Sequence, residues 1–174
     1  MFSPRLFIIC GLPGVGKTTL AHALAERLSA AVVTSEKVVA ELFPPVQTTK
    51  QDRDFTPEQL SRGYEAMCMK ARENLSQGRN VILEGSFRSV AQRQEVFRVA
   101  EDLRVPVSFV YVTCPEGVLQ ERLERRFQAS SHQFGYQAHL AVKKVFEPVT
   151  TYDFHIDTSL DLAPQIDAII TSLE

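Results

Sequence analysis

Gly11-Leu12-Pro13-Gly14-Val15-Gly16-Lys17-Thr18 stands directly after the apolar run Leu6-Phe7-Ile8-Ile9-Cys10 and opens a segment carrying Ala21, Ala23 and Leu24. An apolar strand, a glycine-rich turn ending in Gly-Lys-Thr and a helix are the three parts of a phosphate-binding loop. Glycines let the backbone wrap closely round phosphate oxygens with N–H groups pointing inward, and the helix N-terminus adds positive potential. Gly11, Pro13, Gly14, Val15 and Gly16 form the expected cradle. Lys17 is placed to bridge the β- and γ-phosphates of ATP, Thr18 to put its hydroxyl on Mg2+, and Thr19 to support the loop or the α-phosphate.

Outward from the loop, short apolar runs alternate with helix-period segments. Strands are expected at Leu6 to Cys10, Ala31 to Val33, Val81 to Leu83, Val107 to Val112 and Phe154 to Ile156. Helices are expected at Lys17 to Ser29, Pro57 to Gln77, Val90 to Leu103, Pro115 to Gln128 and Leu162 to Leu173. In the second of these, Leu60, Tyr64, Met67, Ala71 and Leu75 form a core stripe, Thr56 caps the start and Gly78 ends it. Phe43 to Phe55 and Ala129 to Gln137 read as loops. The alternation predicts an α/β fold, a P-loop NTPase with a five-stranded parallel sheet, helices on both faces and a nucleoside-monophosphate-kinase-like arrangement. One domain spans 1–174, with a lid around 122–140.

The 174 residues, 44% hydrophobic and 23% charged, suffice for one ordinary core without staples. A net charge of −2 gives no overall attraction to polyanions. Cys10, Cys68 and Cys114 lack CxxC spacing and read as reduced, buried thiols. The opening MFSPRLFIIC holds about five successive apolar residues, too few for a signal segment or a membrane span. A cytoplasmic location without membrane partners is the expectation.

In a parallel sheet of this kind ligands gather at the carboxyl ends of the strands. Glu36, in Val32-Val33-Thr34-Ser35-Glu36, and Glu84, in Val81-Ile82-Leu83-Glu84-Gly85-Ser86, each follow a strand. Either carboxylate can accept the proton of an acceptor hydroxyl or hold Mg2+ through water. The plainer alternatives are a helix-start acid for Glu36 and a buried, hydrogen-bonded structural acid for Glu84. Arg122, Arg125 and Arg126 share one face of a predicted helix leading into the polar loop, as a closing lid requires. A solvated face paired with Glu121 and Glu124 is the alternative. His132 and His139 lack further metal ligands of useful spacing and read as lid surface. Thr49-Lys50-Gln51-Asp52 spells a guanine-type motif, but follows Pro44-Pro45 rather than a late strand.

These motifs, in this order, make the chain resemble the small ATP-dependent P-loop kinases of the zeta-toxin, chloramphenicol-phosphotransferase and polynucleotide-kinase type over nearly its whole length. GLPGVGKTTLA matches the phosphate loop, VVTSE the strand-two signature, VILEGSF with Arg93 the third-strand segment and its arginine, and ERLERR the lid. The late FEPVTTYDFHIDTS resembles the closing segment, in which Asp157-Thr158-Ser159 lies near the adenine. The resemblance implies Glu36 as base toward the acceptor, Arg93 as a substrate residue, Arg122 and Arg126 as phosphate-facing lid residues, and Thr158 as a nucleotide contact. Both acids are Glu where the family pattern has Asp. The arginine often found three residues after the strand-two acid is Val39 here.

A small-molecule kinase acting on a hydroxyl acceptor is therefore the leading expectation. A nucleic-acid or nucleotide kinase and a non-catalytic ATP-dependent switch are the other readings. The absence of a basic stripe interleaved with aromatics weighs against nucleic acid. The arginine cluster weighs against a switch.

Overall fold

The computed structural model describes residues 3–44, 55–129 and 135–173. Its sheet has five strands: β1 (Leu6–Cys10), β2 (Ala31–Thr34), β3 (Val81–Gly85), β4 (Val107–Thr113) and β5 (Phe154–Asp157). All pairings are parallel, in the order β2-β3-β1-β4-β5. Every residue of β1 is buried, as a central strand covered on both faces must be. Seven helices are described: α1 (Lys17–Leu28), α2 (Ser35–Leu42), α3 (Pro57–Ser76), α4 (Val90–Leu103), α5 (Glu116–Ala129), α6 (Tyr136–Val145) and α7 (Leu162–Thr171).

Alternation along β1 divides the core. Leu6, Ile8 and Cys10 pack with Met67 and Ala71 of α3 and Val96 and Val99 of α4. Phe7 and Ile9 pack on the other face with Leu20 and Leu24 of α1, Leu119 and Leu123 of α5, and Ile166 and Ile169 of α7. The connection leaving β1 thus runs over one face and that leaving β3 over the other. The carboxyl ends of these neighbouring strands consequently flank a topological switch point, the crevice where such sheets bind ligands.

Local chemistry sets the helix boundaries. Thr56 accepts from the Gln59 backbone while the Gln59 side chain accepts from the Thr56 N–H, a capping box with Pro57 in the first turn. Ser89 and Gln92 repeat the device at α4. Gly78, at φ 77°, closes α3 as expected.

Two helices are absent from the expected set, although the alternative reading of Glu36 as a helix-start acid already implies the first. The eight-residue α2 follows β2 without a loop, capped by Thr34, whose hydroxyl accepts from the Lys37 N–H. Only Val38 and Val39 are buried, too few for a periodic signal. Val39 packs where a Cβ on Gly63 would stand, so the two helices meet closely. The other helix, α6, takes up part of the expected Ala129-to-Gln137 loop. Its one fully buried residue is His139, which carries no hydrophobic signal. Cys10 and Cys68 are buried free thiols, whereas Cys114 is only half-buried, at the end of the β4 segment.

Candidate active site

The phosphate loop is shaped by close approach on three sides. A Cβ on Gly11 would run into the carbonyl oxygen of Val112. Gly14 and Gly16 adopt φ 87° and 94°, the left-handed region that side chains disfavour. Their missing Cβ atoms make room for Leu123 of α5 and for Thr158 beyond β5, respectively. Val15 is buried and Pro13 half-buried.

Lys17, 7% exposed, opens α1 with Nζ donating to the Leu12 carbonyl at 2.9 Å and 3.8 Å from Glu84 Oε1. The Thr18 hydroxyl donates to Glu84 Oε2 at 3.2 Å. Thr19 is exposed on the same turn. Glu84, 6% exposed, lies within β3 rather than after it, because the strand continues to Gly85. Its register partners are Ile9 and Thr34, which set it beside the loop that β1 feeds. Burial pushes the Glu84 carboxyl up, opposed by the Lys17 charge and the Thr18 hydrogen bond. Burial pushes the Lys17 ammonium down, opposed chiefly by Glu84.

Glu36 is exposed in the first turn of α2, and its charge is felt by both Lys17 and Glu84. The two acids singled out in the sequence therefore share one crevice. Hydroxyl and carboxylate oxygens standing side by side are the hard donors Mg2+ takes in company with phosphates. Thr18 and Glu84 thus fit a nucleotide-bound Mg2+.

Arg122 joins α5 to Thr158, beyond β5. One guanidinium nitrogen donates to Thr158 Oγ1 at 3.0 Å and to Cys114 Sγ at 3.4 Å, and another to the Thr158 carbonyl at 2.8 Å. The Thr158 hydroxyl donates in turn to the Val15 carbonyl at 2.6 Å. Arg126 is exposed one turn further along, and Arg125 pairs with Glu121 in solvent. His132 and the Thr49-to-Asp52 stretch lie outside the described residues, as does the middle of the expected lid. Among the described residues no cluster of His, Cys, Asp and Glu is arranged to hold a metal by itself.

Arg93 is 7% exposed and directed at backbone. It donates to the carbonyls of Phe87 at 2.9 Å, Glu147 at 3.2 Å and Pro148 at 3.0 Å. Phe87, fully buried at φ 42°, carries the left-handed strain of the turn leaving β3. Its N–H donates to the Tyr64 hydroxyl at 3.1 Å, and the two rings stand 5.3 Å apart. Tyr64 and Arg93 therefore pin the Phe87 residue from both ends. Helical spacing marks Tyr64 only as part of the core stripe. The sequence places His139 on the lid surface, whereas the ring is fully buried and its Nδ1 lies 2.9 Å from the Pro13 carbonyl oxygen. The spacing Tyr136, His139, Leu140 and Lys143 was the available signal for that helix.

Sheet order, phosphate loop and the Lys17-Thr18-Glu84 cluster define an α/β P-loop protein of the kinase type. The chain belongs to the AAA domain family, whose model matches residues 6–149. Gluconokinase of Gluconobacter oxydans (strain 621H) is 30% identical over 125 residues, 71% of this chain and 66% of that protein. The match therefore spans just under two thirds of that relative's length. A sugar kinase from Janibacter sp. HTCC2649 has the same fold, with TM-score 0.75 and 18% identity over 98% of this chain and 94% of its own. The Mycobacterium tuberculosis APS kinase in complex with AMPPNP and APS gives TM-score 0.75 at 14% identity, over 98% of each chain. At such identities the likeness is one of fold. No described helix is long and apolar enough to cross a membrane.

Proposed function

We propose that the chain is an ATP-dependent kinase, one domain in a cytoplasmic setting, that transfers the γ-phosphoryl group to a hydroxyl of a small molecule. The observation carrying this reading is the interlocked Lys17, Thr18 and Glu84 at the switch-point crevice, with Glu36 close enough for its charge to reach both ionised partners.

The loop N–H groups and the N-terminus of α1 hold the phosphates, and Lys17 leaves the Leu12 carbonyl to bridge the β- and γ-groups. Thr18 and Glu84 would hold Mg2+, which would supply charge neutralisation to the phosphates. Glu36 accepts the proton of the acceptor hydroxyl as its oxygen bonds to the γ-phosphorus and the bond to the bridging oxygen breaks, releasing ADP. Arg122 and Arg126 stabilise charge on the transferring group from the lid, with Arg122 and Thr158 also seating the nucleotide. Arg93 serves the acceptor by fixing Phe87 and the turn after β3.

A polyhydroxylated small molecule is favoured as acceptor by the gluconokinase relative and the sugar-kinase fold likeness. The finer motif resemblance to zeta-toxin and chloramphenicol-phosphotransferase kinases supports the same reaction. The test is ATP turnover with a panel of sugars, sugar acids, nucleosides, aminoglycosides and 5′-hydroxyl oligonucleotides, alongside Lys17→Ala. One acceptor should raise turnover and gain phosphate, with Lys17→Ala inactive. Transfer by Lys17→Ala at the wild-type rate refutes the assignment.

A further inference from the structure

One buried titratable side chain has no part in the chemistry above. His139, in the middle of α6, is 0% exposed. Its Nδ1 stands 2.9 Å from the carbonyl oxygen of Pro13, which can only accept, so Nδ1 carries the hydrogen and donates. Nε2 lies 3.8 Å from Glu116 Oε1 and has no hydrogen-bond partner among the described residues. Around the ring, α6 is fastened to the first turn of α5. The Tyr136 hydroxyl donates to Glu116 Oε1 at 2.7 Å, Lys143 Nζ donates to Glu116 Oε2 at 2.7 Å, and the Tyr136 ring lies parallel to the imidazole at 5.8 Å.

The acceptor of the histidine bond lies in the phosphate loop itself. In a planar trans peptide the C=O of one residue and the N–H of the next point in opposite directions. A donor holding the Pro13 carbonyl therefore also fixes the direction of the Gly14 N–H, which belongs to the turn expected to cradle phosphate. Pro13 has no N–H of its own, and Gly14, at φ 87°, has no side chain to limit the turn. Helix docking and loop conformation are joined through one hydrogen bond.

We infer that His139 is a positioning residue. Its Nδ1–H bond to Pro13 sets the phosphate loop and couples nucleotide binding to the docking of α6 on α5. This rests on the ATP-binding reading above. Coupling is reciprocal, so a bound nucleotide must tighten the docking by the same factor by which docking tightens the nucleotide.

The test is equilibrium titration with Mg2+ and a non-hydrolysable ATP analogue, together with thermal unfolding and amide exchange of residues 136–145. His139→Phe keeps a ring but loses the donor, and should weaken the analogue by about 5- to 150-fold. His139→Asn keeps an N–H near the Nδ1 position and should recover most of that loss. Once an acceptor is found, His139→Phe should raise the KM for ATP far more than it lowers kcat. In the wild type the analogue should slow exchange in α6, and in His139→Phe it should not. If His139→Phe does not fold, Tyr136→Phe with Lys143→Ala loosens the same docking from the surface and should also weaken the analogue. A lower melting temperature with unchanged affinity makes His139 merely structural and overturns the inference, as does unchanged affinity in the surface double variant. A wild type that binds no analogue overturns the kinase reading, and this inference with it.

Discussion

The Thr18 hydroxyl, in the first turn of α1, donates to Glu84 Oε2 on the neighbouring strand β3 at 3.2 Å. That bond joins the helix fed by β1 to the strand beside it, across the crevice where the sheet changes winding direction. Mg2+ at this site would replace it, since both oxygens are then required as ligands or as holders of its waters.

A pH dependence follows. Burial raises the Glu84 carboxyl above its ordinary 4.5, so between 4.5 and that raised value the folded chain keeps a proton the unfolded chain has lost. Without ligand, the Glu84 contribution to stability is full below 4.5 and is lost as pH rises through the folded value. On the proposed reading Mg·ATP would need the ionised form and have the opposite preference. The rise in melting temperature produced by Mg2+ and an ATP analogue should therefore shrink as pH falls through the raised value. In Glu84→Gln it should be small and flat. A wild-type rise that stays constant down to pH 4.5 excludes Glu84 from the metal site.

Arg93 offers a second check. Of its three backbone acceptors only the Phe87 carbonyl belongs to a buried residue, Glu147 and Pro148 being exposed, and Arg93→Gln leaves the buried Phe87 carbonyl without its donor. Urea unfolding should show a loss of about 2–4 kcal/mol, with ATP affinity nearly unchanged. Unchanged stability with a raised KM for the acceptor would make Arg93 a direct substrate contact instead.

Arg122, Arg125 and Arg126 separate by environment. Arg122→Ala and Arg126→Ala should lower turnover more than ATP affinity, as contacts that strengthen in the transition state do. Arg125, paired with Glu121 in solvent, should be dispensable, because exposed ion pairs contribute little. Equal losses in steady-state kinetics of Arg125→Ala would shift the role along the helix.

The strands were legible in the sequence because β1 is apolar at every position and the glycine turn follows it at once. The helix over Pro57 to Ser76 was legible because Met67, Ala71 and Leu75 recur at helical spacing between a capping box and a glycine stop. Helix α2 was not, since eight residues with two buried valines give no period. Helix α6 was hidden because a histidine fills its core position. In the site, residue types announced the phosphate loop and both acids. That Glu84 sits inside its strand, that Arg93 faces carbonyls, and that Tyr64 holds Phe87 depend on tertiary approach, which periodicity does not encode.

Glu36 carries the last prediction. It stands at the start of α2, exposed, while Glu84 is buried and held by Thr18 and Lys17. On the proposed reading a bound metal would occupy the Glu84 carboxylate, whereas an exposed carboxylate at the mouth of the same crevice is free to meet an acceptor hydroxyl. Glu36→Gln should bind ATP with wild-type affinity yet lose acceptor phosphorylation by about 10²- to 10⁴-fold, because an amide cannot take the proton. Glu36→Asp should retain part of the activity, since it keeps the carboxylate and shortens only its reach. Glu84→Gln should instead weaken Mg2+-dependent binding of ATP. The measurement is single-turnover transfer from labelled ATP at saturating acceptor, beside equilibrium binding of nucleotide. Full transfer in Glu36→Gln with loss in Glu84→Gln would move the base to Glu84 and leave Glu36 as an acid that favours the helix start. Full transfer in both would remove carboxylate base catalysis from this site.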